Sequence, residues 1–194
     1  MFMSTPISDI TPLLAATRKS AASLAMSSES VKLAILKDLA ARLRTHCAAI
    51  LLENEKDLAS FDPQNPMRDR LLLTEQRIGA LADSLLDVAQ LPDPAGQILV
   101  DKILANGLHL QKKSVPLGVV GVIYESRPNV TIDVAALCIR SGNAAVMRGG
   151  TDAWYTNSIL VSLIHDALRG AGLSTDLVRL LPTDRAHVTT LLTA

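Results

Sequence analysis

The sequence predicts an α/β fold in which helices flank a parallel sheet of order strand, helix, strand, helix, strand. Three observations carry this reading. Val115 to Tyr124 is an apolar, β-branched run broken by Gly118 and Gly121, short enough for a strand buried on both faces and too rich in glycine for a helix. From Thr131 the apolar positions Ile132, Ala135, Ala136 and Ile139 recur at helical spacing until Ser141-Gly142-Asn143, after which Ala144 to Met147 reads as a second buried strand. Trp154 to Gly170 carries Ile159, Leu160, Leu163, Ile164, Ala167 and Leu168 at the same spacing, Gly170 and Gly172 close it, and Leu177 to Leu181 makes a third strand.

Upstream of the sheet the chain is helical. Residues 8–26 place Ile10, Leu13, Leu14, Thr17, Ala21 and Leu24 on one side and Arg18 and Lys19 on the other. Serines 27, 28 and 30 can cap a long helix from about Val31 to Asp57, with Leu36, Leu39, Ala40, Leu43, Cys47, Ile50 and Leu51 inward and Lys32, Lys37, Arg42 and Arg44 mostly outward. The turn-rich Asp62-Pro63-Gln64-Asn65-Pro66 ends it. Thr74 with Glu75 marks the next helix start, and Ile78, Leu81, Leu85, Leu86 and Val88 carry that helix to about Ala89 before Pro92 and Pro94. Residues 97–113 change period. Asn106-Gly107 before the alternating Leu108 to Lys113 signals a β-hairpin whose first arm is irregular and whose loop length, two residues or more, stays open. Asp184 reads as the N-cap of a last helix containing Val188, Leu191 and Leu192.

Composition narrows the function classes. The 194 residues are 48% hydrophobic and 20% charged with net charge zero, so no electrostatic bias favours nucleic acid or an anionic membrane. Five aromatic residues leave no stacking platform for bases. No segment is apolar for long enough to span a bilayer, the N-terminus lacks a signal-peptide pattern, and two distant cysteines form no disulfide framework, so a cytoplasmic, reduced location is expected. His46, His109, His165 and His187 have no metal-ligand spacing, and no metal is expected.

Glu125, Ser126, Arg127, Pro128 and Asn129 follow the first strand directly, at the carboxyl end where open α/β sheets bind ligands. With VPLGVVGVIYESRPNVTIDVAALCIRSGNAAVMRGG and the preceding DRLLLT of positions 69–74, the chain resembles the amino-terminal part of the γ-glutamyl phosphate reductase (glutamate-5-semialdehyde dehydrogenase) branch of the aldehyde dehydrogenase superfamily. The resemblance covers essentially all 194 residues, and YESRPNVT is specific to this branch. It implies an aldehyde-dehydrogenase-like fold divided into an N-terminal helical segment (1–95), a β-hairpin of oligomerisation type (96–113) and the first half of an NADPH-binding Rossmann-like domain (114–194). It also implies NADPH-dependent reduction of L-glutamate 5-phosphate to the 5-semialdehyde with release of phosphate, in proline biosynthesis. Family members are considerably longer. A three-stranded sheet would expose an apolar edge, and the last helix has no C-cap, so the chain reads as truncated.

By resemblance Asn129 is the amide donor to a developing oxyanion; the residues alone favour an Asn that satisfies a turn or caps the crossover helix. Arg127 could hold the substrate's phosphate or carboxylate, or form an ion pair with Glu125. No G-x-G-x-x-G is present, since Gly118-x-x-Gly121 falls within the first strand. Instead Arg148-Gly149-Gly150-Thr151 follows the second strand and supplies a cation, close approach and a hydroxyl where NAD-selective proteins carry a carboxylate, chemistry that favours NADPH. The alternative is a solvated strand-end charge beside an ordinary turn. The resemblance groups Tyr124 with Arg148, Gly149, Gly150 and Thr151 as cofactor-binding residues and leaves open the influence of Asp152.

Neither cysteine resembles the family's nucleophile, because Cys47 falls on the apolar face of the long helix and Cys138 lies among Ala135, Leu137 and Ile139. Three readings follow: a reductase whose nucleophile lies outside this chain, an inactive fragment, and a small nucleotide-binding module. Partners implied are the small-molecule substrate, a second copy of the chain through the 97–113 hairpin, and glutamate 5-kinase.

Overall fold

The computed structural model describes residues 9–62 and 64–193. Thr11–Ala25 forms α1, Glu29–Thr45 α2, Cys47–Leu58 α3, Arg68–Leu71 α4 and Glu75–Gln90 α5. A hairpin of β1 (Ile98–Ile103) and β2 (His109–Lys113) leads to β3 (Val119–Ile123), α6 (Pro128–Arg140), β4 (Ala144–Arg148), α7 (Trp154–Gly170), β5 (Val178–Leu180) and α8 (Ala186–Thr193). The sheet order is β3-β4-β5, all parallel, so the expected βαβαβ unit forms with β4 central and buried.

The two sheet faces have different covers. Val146 points toward Ile10 and Leu13 of the α1 region and Leu191 of α8, while Ala145 and Met147 join the large core built from α2, α5, α6 and α7. This is a sheet with helices on both sides, as parallel strands require. Ser28 caps α2 through the Val31 N–H, Thr74 caps α5 through the Arg77 N–H, and Asp184 accepts from the Ala186 N–H at 2.8 Å at the start of α8. The hairpin is antiparallel with a register shift near Ile98, and its loop spans 104–108. Every residue of both its strands is exposed, including Ile103 and Leu110.

Four local expectations need correction. The helix read from Val31 to Asp57 is two helices, interrupted at His46, where ψ of 19° leaves the helical range. Lys32, grouped with the mostly outward charges, is instead 2% exposed, and its Nζ donates to Asp93 at 2.8 Å. Arg140, also buried, pairs with Glu29 at 2.5 Å and stands 3.6 Å from Asp93. Burial pushes the Asp93 carboxyl up, but the Lys32 and Ala95 hydrogen bonds and the charges of Lys32 and Arg140 outweigh it, so it titrates below the usual range. The third correction concerns Gly118, which precedes β3 at φ +104° rather than lying inside it. Finally, β3 is only partly covered because it pairs on one side alone, leaving Gly121 and Ile123 exposed.

His165 on α7 hydrogen-bonds the Val178 carbonyl at 2.7 Å through Nε2. Burial first, and then the charges of Arg179 and Arg169, hold its imidazole below the ordinary value of 6.5. The unfolded chain therefore takes up this proton first as pH falls, and the associated stability is present above about 6.5 and lost progressively below it. His165→Gln keeps a donor for Val178, so the difference between the melting temperatures at pH 7.0 and 5.5 is expected to shrink in the variant; an unchanged difference would exclude His165 as its source.

Candidate active site

The carboxyl ends of β3 and β4 lie side by side, and the Tyr124 N–H donates to the Arg148 carbonyl at 3.1 Å. Beyond them opens a cavity of about 700 Å³ bordered by Tyr124, Glu125, Ser126, Arg148, Gly150, Thr151, Asp152 and Arg185. A second cavity of about 460 Å³ is bordered by Asp69, Arg70, Arg77, Arg127, Asn129 and Asp133. Tyr124, Glu125 and Ser126 border the first, and Arg127 and Asn129 the second. The two sequence stretches that carry the resemblance, DRLLLT and YESRPN, meet at the second cavity.

Tyr124 turns its hydroxyl inward. It bonds Thr131 Oγ1 at 2.7 Å, and Thr131 donates in turn to Asn157 Oδ1 at 2.8 Å, tying the end of β3 to α6 and α7. Burial raises the phenol above its ordinary value. The glycines next to it are required by protein packing. A Cβ at Gly149 would lie 2.6 Å from Asn157 Nδ2 and 3.2 Å from the Tyr124 ring, and one at Gly150 would lie 2.8 Å from the Ser126 backbone nitrogen. The space freed by the glycines is thus filled by the loop after β3.

Arg148 is anchored as well as charged. Its Nη2 donates to the Thr183 carbonyl, and its Nε is buried with no hydrogen-bond partner among the described residues. Among the described residues neither Arg148 nor Arg185 has a carboxylate within 4 Å, although Asp152 borders the same cavity and accepts from Ser126 Oγ at 3.2 Å. A solvated strand end does not describe Arg148.

Two N–H groups at the start of the helix that follows are already engaged. Thr151 opens a short 3-10 turn, Thr151–Ala153, leading into α7. Asp57 of α3 then accepts from the Tyr155 N–H at 3.1 Å, the Thr156 N–H at 2.8 Å and Thr156 Oγ1 at 2.6 Å. Helix N-termini attract anions through these N–H groups, and here a protein carboxylate has taken them. Burial raises the Asp57 carboxyl, with Thr156 and Tyr155 opposing and Glu53 adding to the rise. Asn54 braces the same junction, donating to the Leu71 carbonyl at 2.9 Å and accepting from the Leu73 N–H at 2.9 Å.

In the second cavity the alternatives for Asn129 and Arg127 separate. Asn129 is exposed in the first turn of α6; the N-cap position belongs to Arg127, with no side-chain cap bond, so capping is not what Asn129 does. Its amide reaches Asp133 Oδ2 at 3.3 Å, and burial holds the Asp133 carboxyl above its usual range. Glu125 pairs with Arg70 at 3.5 Å, not with Arg127, which has no ion pair among the described residues. Arg77 is committed to structure, donating to the Asp69 and Leu72 carbonyls, both at 2.7 Å, and to Asp69 Oδ1 at 2.8 Å.

Neither thiol borders either cavity. Burial pushes Cys138 up to about 11, and burial with the charge of Glu75 raises Cys47, so both are poor nucleophiles at neutral pH. Sequence reasoning missed Asp57, Asp133, Arg70 and Arg185 as neighbours of the site. Asp133 was within reach of pattern analysis as the i+4 partner of Asn129; Arg185 was not, because it arrives from beyond β5.

No known family model matches the chain. Its sequence is 47% identical over 186 residues to a γ-glutamyl phosphate reductase of Legionella pneumophila (strain Corby), covering 96% of this chain and 45% of that protein. The crystal structure of γ-glutamyl phosphate reductase from Thermotoga maritima superposes with a TM-score of 0.89 at 30% identity, covering 94% of this chain and 45% of that one. An NAD-dependent benzaldehyde dehydrogenase from Corynebacterium glutamicum shares the fold at a TM-score of 0.75 and 21% identity, covering 96% of this chain and 38% of that one. The chain spans about half the length of the curated relatives it matches. Over the stretch it spans, the chain is similar in sequence and fold to the γ-glutamyl phosphate reductases, and its fold is aldehyde-dehydrogenase-like.

Proposed function

We propose that this chain carries the adenosine side of an NADPH site and part of the substrate site of a γ-glutamyl phosphate reductase, acting on L-glutamate 5-phosphate in proline biosynthesis in the cytoplasm. The observation that carries this is the cavity at the carboxyl ends of β3 and β4, where Arg148 and Arg185 lack carboxylate partners among the described residues. A ribose bearing a 2′-phosphate fits two cations with the hydroxyls of Thr151 and Ser126 beside them. The pyrophosphate is not held by the start of α7, whose N–H groups Asp57 occupies. When bound, NADPH supplies the hydride for the reduction. In the second cavity Arg127 holds an anionic group of the substrate, and Asn129 offers a neutral amide to the oxygen that gains charge. Tyr124, Gly149 and Gly150 shape the nucleotide side by packing.

The nucleophile is neither Cys47 nor Cys138, so the chain alone is expected to lack turnover while retaining nucleotide binding, which is the second reading favoured by the thiol positions. We further assign residues 1–95 as a helical segment packed on the cofactor unit, 96–113 as an oligomerisation hairpin, and 114–194 as the first half of the cofactor domain. Ile103 and Leu110 would be covered in a homo-oligomer, and glutamate 5-kinase is a candidate associate.

Calorimetric titration with NADPH and NADH tests the site. Saturable binding is expected to favour NADPH, and Arg148→Ala to weaken NADPH by roughly tenfold with little change for NADH. Equal loss for both cofactors would remove 2′-phosphate recognition from Arg148.

A further inference from the structure

We infer that Arg185 is a specificity-determining residue of the nucleotide cavity, the cation that selects a phosphomonoester on the ribose, with Arg148 setting its position. The inference rests on the proposed NADPH reading of that cavity.

Arg148 is only partly available to a ligand. Its Nη2 is spent on the Thr183 carbonyl and its Nε is buried, so a share of its donor capacity goes into holding the turn that follows β5. That turn is fixed at a second point, where Asp184 Oδ1 accepts from the Ala186 N–H at 2.8 Å. Arg185 stands between these two anchors and reaches the border of the same cavity. Its side chain belongs to an exposed residue with no ion pair among the described residues, so its whole guanidinium fork is open to an anion.

The negative groups nearby sharpen the assignment. Glu125 is drawn off by Arg70 at 3.5 Å, and Asp152 accepts from Ser126 Oγ at 3.2 Å. Asp152 is the one carboxylate at the cavity border that could favour a free ribose 2′-hydroxyl, the arrangement found in NAD-selective sites. With Arg148 partly committed, the balance between a 2′-phosphate and a 2′-hydroxyl falls to Arg185 against Asp152.

Adenosine 2′-monophosphate and adenosine 5′-monophosphate separate the possibilities, because both carry one phosphate and differ in where it sits. Binding to the full 194-residue chain is followed by the fluorescence of Trp154, its single tryptophan, with a thermal melt on each variant. The wild-type chain is expected to prefer the 2′-phosphate, Arg185→Ala to lower that preference about tenfold at an unchanged melting temperature, and Arg185→Lys to restore part of it. A preference retained in Arg185→Ala overturns the assignment and leaves the nucleotide site standing. No preference in the wild-type chain, or a preference for the 5′-phosphate, overturns the NADPH reading and the inference with it.

Discussion

Asp57→Ala is expected to destabilise the chain by about 3 kcal/mol, a fall in melting temperature of roughly 6–12 °C for a protein of this size. The residue is buried, and its two oxygens accept three hydrogen bonds from Tyr155 and Thr156. Truncation leaves the buried Thr156 N–H and hydroxyl without this partner, where each unsatisfied group costs about 1–3 kcal/mol, and releases the part-buried Tyr155 N–H as well. Thr156 Oγ1 is also the acceptor for Asn54 Nδ2 at 3.1 Å, so the loss spreads into the α3–α7 contact. Asp57→Asn retains an acceptor and is expected to cost less. Denaturant unfolding measures both; equal stabilities for wild type and Asp57→Ala would mean that the start of α7 is held by other means.

Gly150→Ala has the second large effect. The new Cβ would lie 2.8 Å from the Ser126 backbone nitrogen and 3.2 Å from its Cα, distances that no side-chain rotation relieves. Overpacking of this kind costs typically 1–3 kcal/mol, and here the relief must come from displacing the loop after β3. Melting is expected to fall by about 2–12 °C, together with loss of most nucleotide binding. Because the obstruction includes backbone, Ser126→Gly in the same chain should recover only part of either quantity. Full recovery would show that the hydroxyl alone had been in the way.

The fold was legible in the sequence wherever one period ran uninterrupted between punctuation residues. Ile132 to Ile139 and Ile159 to Leu168 marked α6 and α7, and Ser28, Thr74 and Asp184 marked helix starts by their side-chain chemistry. Periodicity could not report partners from elsewhere in the chain. Lys32 shares a helical face with Leu36, Leu39 and Leu43, but its charge argues for solvent until Asp93 arrives from the connection after α5, and β3 lost its cover because a strand's neighbours are a property of the sheet. The site divided in the same way. Residues 124–129 and 148–151 could be placed at strand ends from pattern alone, but that Glu125 pairs with Arg70, that Asp57 closes the start of α7 and that Arg148 anchors Thr183 all depend on contacts between distant segments.

The short segment 124–129 borders both cavities, with Tyr124 to Ser126 on one and Arg127 and Asn129 on the other. It has little freedom to drift: its tyrosine is bonded into the core, its serine is lodged against a glycine, and Pro128 fixes the entry to α6. On the assignment proposed above, the nucleotide side and the substrate side share this one wall. A substitution within 124–129 that re-shapes one cavity also re-aims groups facing the other, so a change confined to one cavity has to be made from an outer wall such as Arg185, whereas Arg70 of the second cavity also holds Glu125 of the first.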